Sequence, residues 1–209
     1  MQKCRSVDVV NRCRMGAGGY PHSPKAPYDE NYMYWKIINS TYPFTCPWLT
    51  VRKDEVQLPN GITIPDFYVT EAPDWVNVIA ITKEGKYIVE GQYRHGVQQV
   101  CFELCAGMVD EGESPMEAVK RELLEETGYA GGEWRSFGMS VPNASGSVII
   151  CHHFIATDVE YQRAPKLERT EEIKIHLVDE SELKAMMSDG RMVEAVMLAP
   201  LWKYFANKQ

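Results

Sequence analysis

Residues 107–129, GMVDEGESPMEAVKRELLEETGY, decide how this chain is read. Ser114 is placed to cap a helix, with Glu117 as its capping-box partner, Pro115 at the first helical position and Gly128 as the stop. These signals predict one helix over Pro115–Thr127. At 100° per residue, Glu126 falls about 40° from Glu122, and Glu125 about 60° to its other side. Three carboxylates therefore share one face, while Met116, Val119 and Leu123 fill the adjoining arc and can dock the helix on a sheet. Arg121 stands one turn before Glu125 and supplies one ion pair. The charge left over suits a hard divalent cation, Mg2+ or Mn2+, rather than zinc, which favours His or Cys ligands. A Glu-rich helix alone reads equally well as a solvated face with i,i+4 pairs.

Outward from this helix, the chain is rich in extended runs. Segments 48–57 and 62–70 flank Asn60-Gly61, a hairpin signal. Further strands are expected at Trp75–Thr82, Tyr87–Tyr93, Val97–Leu104, Ser147–Ala156 and Ile173–Val178, with a polar loop from Asp158 to Thr170. Helices at Glu180–Met187 and Met192–Phe205 close the chain, the second kinked or restarted at Pro200. The pattern is a mixed α/β sandwich. Residues 1–33, with several Gly and Pro and no apolar period, read as a loose arm. Residues 34–73 read as a small antiparallel β domain and 74–209 as the main domain.

Composition narrows the function. The 209 residues are 44% hydrophobic and 24% charged, which suits a packed core. With 22 basic against 29 acidic side chains, the net charge of −7 disfavours nucleic acid as a partner. No run of about 18 apolar residues exists to span a membrane. Six cysteines without a C-x-x-C read as buried, reduced thiols, and the expected location is the cytoplasm. His152 and His153 adjoin on a strand, face opposite ways and read as packing residues.

The spacing G-x5-E-x7-R-E-U-x-E-E-x-G-U (U, apolar) is matched at Gly107, Glu113, Arg121, Glu122, Glu125, Glu126 and Gly128, with Leu123 and Tyr129 at the apolar places. At about 7% usage per residue type, seven fixed matches arise by chance roughly once in 10⁸ windows. This stretch resembles the Nudix box, and the chain is identified as resembling the Nudix hydrolase family. The flanks Gln92-Tyr93-Arg94 and Glu103-Leu104-Cys105-Ala106-Gly107 resemble the Q-Y-R and E-L-P-A-G segments of the ADP-ribose pyrophosphatase and nucleoside-diphosphate-sugar hydrolase branch, with Cys105 in place of proline. Pro142 resembles, at approximate spacing, a proline that many members carry beyond the box.

The resemblance implies an α/β/α sandwich of mixed sheets preceded by a small antiparallel strand domain. It implies metal-dependent hydrolysis of a nucleoside diphosphate sugar, most directly ADP-ribose to AMP and ribose 5-phosphate. Another sugar nucleotide, a dinucleotide or a non-catalytic nucleotide-sugar sensor are the alternatives. Carried over, Glu122, Glu126 and the Ala106 carbonyl hold Mg2+ or Mn2+, and Glu125 is a ligand or orients water. Gly107, Glu113, Arg121 and Gly128 hold the box together, and Arg94 is a substrate-site or a structural residue. Glu168, Glu171 and Glu172 compete to complete the site from the loop, with Glu171 chosen because an acidic pair precedes the strand. The resemblance also implies a homodimer with exchanged N-terminal domains, in which Trp48 stacks on the base.

Overall fold

A computed structural model describes residues 34–46 and 48–208, so the expected arm at 1–33 lies outside the described residues. The chain divides into two compact units, one of residues up to 72 together with 145–148, the other of 73–144 and 149 onward.

The first unit carries the antiparallel strands β1 (Lys36–Cys46), β2 (Leu49–Gln57) and β3 (Thr63–Glu71), in that order. Between β2 and β3 the chain reverses at Asn60-Gly61, where Gly61 takes φ 86° and its N–H bonds the Leu58 carbonyl at 2.9 Å. Segment 145–148 joins this unit through a parallel bridge of Thr70 with Ser147. Asp54 is buried and takes hydrogen bonds from Arg52 Nε (2.9 Å) and Ser40 Oγ (2.6 Å), while Arg52 also pairs with buried Glu71. The two buried carboxylates share the Arg52 cation. In contrast, β1 exposes Ile37, Ile38, Tyr42 and Phe44, and Tyr34, Trp35 and Trp48 beside it are exposed too.

The second unit is built on β4 (Trp75–Thr82). It pairs antiparallel with β7 (Cys105–Met108) and parallel with β10 (Cys151–Tyr161), which pairs antiparallel with β9 (Glu133–Ser140) and, at its far end, β8 (Tyr129–Ala130). β5 (Tyr87–Arg94) follows β4 by a tight turn and takes β6 (Gln99–Glu103) and β11 (Ile173–Val178) as antiparallel neighbours. On one face Val76, Val78, Ala80 and Ile88 pack with Val119 and Leu123 of the box helix. On the other, Ile79 and Val89 pack with α2 (Glu180–Ser188) and α3 (Ala195–Asn207), through Leu183, Met186, Val196 and Leu201. The result is the expected α/β/α sandwich.

Several boundaries differ from the sequence reading, each for a local reason. The box helix is α-helical only as α1 (Pro115–Glu122), and Leu123–Thr127 continues as a wider π turn. Strand β9 is absent from the reading because a bulge opposite His153 and Phe154 breaks its two-residue period. Strand β10 starts later and runs to Tyr161, passing a second irregularity at Asp158 (φ 58°), so the polar loop begins only at 162. Strand β6 starts at Gln99 rather than Val97, after a turn in which Gln98 takes φ 54°. Helix α3 begins at Ala195 and runs through Pro200 without restarting. Proline supplies no N–H to the Val196 carbonyl four residues earlier. Asn77 Nδ2 donates to that carbonyl instead, at 2.8 Å.

Candidate active site

The cap that begins α1 forms as its residues dictate: Glu117 N–H donates to Ser114 Oγ at 3.3 Å, and Ser114 N–H to the Glu117 carboxylate at 2.9 Å. Arg121 is the tie of the loop before it. Its Nε and Nη2 fork onto Glu113 at 3.0 and 2.9 Å, Nη2 reaches the Met108 carbonyl at 3.1 Å, and Nη1 donates to Glu122 at 2.7 Å. The expected ion pair with Glu125 is present but longer, at 3.5 Å. Hydrogen bonding to Arg121 holds the Glu113 carboxyl below its ordinary range.

A Cβ on Gly107 would overlap the Glu122 carboxylate, so only glycine lets the strand and that carboxylate approach. Gly128 ends the π turn in the left-handed region (φ 78°), against the Arg163 carbonyl, where a side chain would clash. Its carbonyl accepts from Gln162 N–H at 2.8 Å, and Lys166 N–H donates to the Glu125 carbonyl at 2.7 Å. The loop after β10 is thereby pinned along the box.

Burial and crowding act on these acids together. Burial pushes Glu122 up to about 7, with Arg121 pulling back and Glu125 and Glu171 adding repulsion. Burial likewise pushes Glu126 up to about 8; a Cys105 hydrogen bond and the Ala106 backbone oppose this, while Glu122 and Glu171 reinforce it. Among the three loop candidates, Glu171 is half-buried and acts on both box carboxylates, whereas Glu168 and Glu172 are exposed. The Glu171 carboxylate also accepts from Glu168 N–H at 2.7 Å, fixing the turn.

Two further acids belong to this region: Glu90, which the sequence reading does not single out, and Glu103, which it names only within the flank 103–107. Glu90, in β5, is only 4% exposed, and its Oε1 has no hydrogen-bond partner. Burial, then the charge of Glu126, holds its carboxyl well above the ordinary range. Among the described residues, the donor atoms that converge to within 4.8 Å of one another are those of Glu90, Cys105 and Glu126. The box carboxylates Glu122, Glu125 and Glu126 do not form such a group. The signal available in the sequence is a lone acid directly after the apolar run Tyr87–Val89. The second is Glu103, buried at the end of β6, which receives Arg94 Nε at 2.9 and 3.0 Å. Arg94 is thus held in a carboxylate fork, with its side chain 45% exposed.

Trp48 sits in the first unit and is 66% exposed. His153 is buried between Asn77 Oδ1 (2.8 Å) and Ser140 Oγ (2.9 Å), and burial holds its pKa down at about 4. His152 meets Asp74 at 3.2 Å.

Residues 73–196 match the NUDIX domain and residues 35–70 the nucleoside diphosphate sugar hydrolase N-terminal domain. The chain belongs to the NUDIX domain family. It is 30% identical over 124 residues to the ADP-ribose pyrophosphatase of Bacillus subtilis (59% of this chain, 66% of that protein). It is 39% identical over 94 residues to the methanol dehydrogenase activator of Bacillus methanolicus (45% and 50%). It is 33% identical over 97 residues to the ADP-ribose pyrophosphatase of Saccharomyces cerevisiae (41% and 42%). These matches span from 42% to 66% of the length of the three relatives. In fold, the chain is similar to a crystal structure of an ADP compounds hydrolase, with a TM-score of 0.70 at 18% identity, over 83% of this chain and 95% of that one.

Proposed function

We propose that this chain is a divalent-metal-dependent pyrophosphohydrolase acting on nucleoside diphosphate sugars, foremost ADP-ribose, with AMP and ribose 5-phosphate as products. The observation that carries this reading is a complete Nudix box whose Glu126 is buried and whose half-buried Glu122 lies against a backbone that only glycine at 107 permits. Their donor set fits a divalent cation: Arg121 is the cation paired with half-buried Glu122, and buried Glu126 meets a neutral thiol rather than a cation. Uncompensated buried carboxylates are costly, and a bound cation offsets that cost.

Glu122, Glu126 and the Ala106 carbonyl would hold Mg2+ or Mn2+. When bound, such an ion neutralises charge on the pyrophosphate and makes water a better nucleophile. Glu125 or Glu171 takes the proton from the attacking water as the new P–O bond forms and the bridging P–O bond breaks. Arg94, braced by Glu103, offers its half-exposed guanidinium to phosphate oxygens. The expected partner is a second copy exchanging N-terminal domains, which the exposed aromatic and aliphatic side chains of β1 favour. Trp48 then offers an uncovered ring for base stacking. The free thiols of Cys46, Cys101, Cys105 and Cys151 suit a reducing compartment, the cytoplasm.

The test is release of monophosphate from ADP-ribose, ADP-glucose, GDP-mannose, NADH and diadenosine polyphosphates, with and without Mg2+. AMP formed fastest from ADP-ribose, and only with the metal, is the expected result. A different leading substrate discards the ADP-ribose assignment, and nucleotide-sugar binding without turnover on any substrate discards hydrolysis.

A further inference from the structure

We propose that Glu90, Cys105 and Glu126 form a second metal site, selective for a borderline divalent cation such as Zn2+, which shares Glu126 with the hydrolytic set. This inference rests on the reading of Glu126 as a metal ligand in the proposed function. Two strands and the π turn of the second unit make the site. β5 brings Glu90, β7 brings Cys105, and the π turn swings Glu126 inward beneath them.

The donor atoms are already near coordinating geometry. Zinc bonds of about 2.3 Å to sulfur and 2.0–2.2 Å to oxygen imply donors about 3.3–3.7 Å apart in a tetrahedron. Cys105 Sγ lies 3.2 Å from Glu126 Oε2, and all three donors fall within 4.8 Å of one another. Small side-chain rotations close the set.

An independent observation points to a ligand here. Glu90 Oε1 is a buried oxygen without a hydrogen-bond partner, on a side chain aimed into the cluster. Native interiors rarely leave such an atom unsatisfied. A cation would satisfy it.

The chemistry of the donors selects the ion. Cys105 is 0%, Glu90 4% and Glu126 8% exposed, so the cluster is dry, and one donor is sulfur. Mg2+ prefers six oxygens and keeps several waters, whereas one sulfur and two oxygens suit zinc with a fourth position open. On binding, the Cys105 S–H bond breaks, the S–metal bond forms and the proton leaves to solvent. An ion held there engages Glu126 and withdraws it from the Mg2+ set, so zinc acts as a brake on turnover that depends on Cys105.

The test is titration of the metal-free full chain with Co2+, read as the thiolate-to-cobalt charge-transfer absorption, beside Mg2+-dependent hydrolysis of ADP-ribose with added Zn2+. The band should appear with the wild-type chain and with Cys151→Ser, and vanish in Cys105→Ser. Glu90→Gln should weaken Co2+ binding at least about tenfold, the scale of losing one supporting group at a metal site. The Zn2+ concentration that halves turnover should rise at least about tenfold in Cys105→Ser. Circular dichroism checks folding, with Cys105→Ala as the second thiol variant and Glu90→Gln deciding alone if neither folds. A band that survives loss of Cys105 overturns the site. No band, with Mg2+-dependent turnover intact, overturns this inference alone; no band and no turnover overturns the proposed function with it.

Discussion

The second unit buries two polar clusters on opposite faces of one sheet, and they are built on opposite principles. Toward α3, Asn77, His153 and Ser140 form a closed set in which Asn77 donates to the Val196 carbonyl and meets His153, which meets Ser140. His153 stays neutral there, and each group has a partner. Toward the box helix, burial first and neighbouring carboxylates second hold Glu90, Glu122 and Glu126 above the ordinary range, with Glu126 acting on Glu90 and Glu122 on Glu126. The closed cluster lowers the energy of the fold by itself. The open one leaves a demand for positive charge, and that demand is what separates a binding site from a scaffold.

The largest effect should come from the open cluster. Glu122→Gln should lower ADP-ribose turnover at least about 10²-fold, the scale for losing one preorganised electrostatic group. Steady-state rates at saturating Mg2+ check this, and a loss under tenfold would remove Glu122 from the metal set. Asn77→Ala should do the reverse. It strands the Val196 carbonyl and His153, which should cost about 2–4 kcal/mol of stability, read from the denaturant midpoint. The same variant should turn over normally where it is folded. A stable Asn77→Ala protein with impaired chemistry would erase the distinction between the clusters.

The pH dependence follows from the direction of the shifts. Glu122 and Glu126 are raised to about 7 and about 8, from an ordinary 4.5. Their contribution to stability is therefore complete below about pH 4.5 and is lost as pH rises through 7 and 8. Without metal, the melting temperature should fall over that window, and Mg2+ should restore it by binding the deprotonated acids. The Mg2+ needed for half-maximal rate should fall as pH rises toward 8, by up to about tenfold per unit for each proton displaced. A flat profile would mean the acids are already ionised without metal. The smallest effects separate the loop residues: Glu171→Gln should cost at least about tenfold in rate, and Glu168→Gln or Glu172→Gln should leave it within about twofold. Equal losses at all three would assign the loop's effect to its shape.

The sequence made the box and its helix legible because capping, spacing and charge are local properties. Ser114, Pro115, Glu117 and Gly128 act within a few residues of themselves. What escaped it depends on partners distant in the chain. Strand β9 reads poorly because its period slips at a bulge opposite β10. Helix α3 passes Pro200 because Asn77, 123 positions earlier, fills the missing bond. The change from α-helix to π turn at Leu123, the turn whose Glu126 meets Cys105, is not foreseen by a uniform 100° step. Glu90 was hidden for the same reason. Only the fold reveals that an acid in an apolar strand faces two other metal-type donors.

Glu126→Gln tests the central claim most directly, measured for turnover and for metal-free melting at pH 8. Glu126 as a charged ligand kept in place at a cost to stability predicts at least about a 10²-fold loss of Mg2+-dependent ADP-ribose hydrolysis, together with a higher melting temperature. Unchanged turnover, or a variant that melts lower without metal, would contradict it.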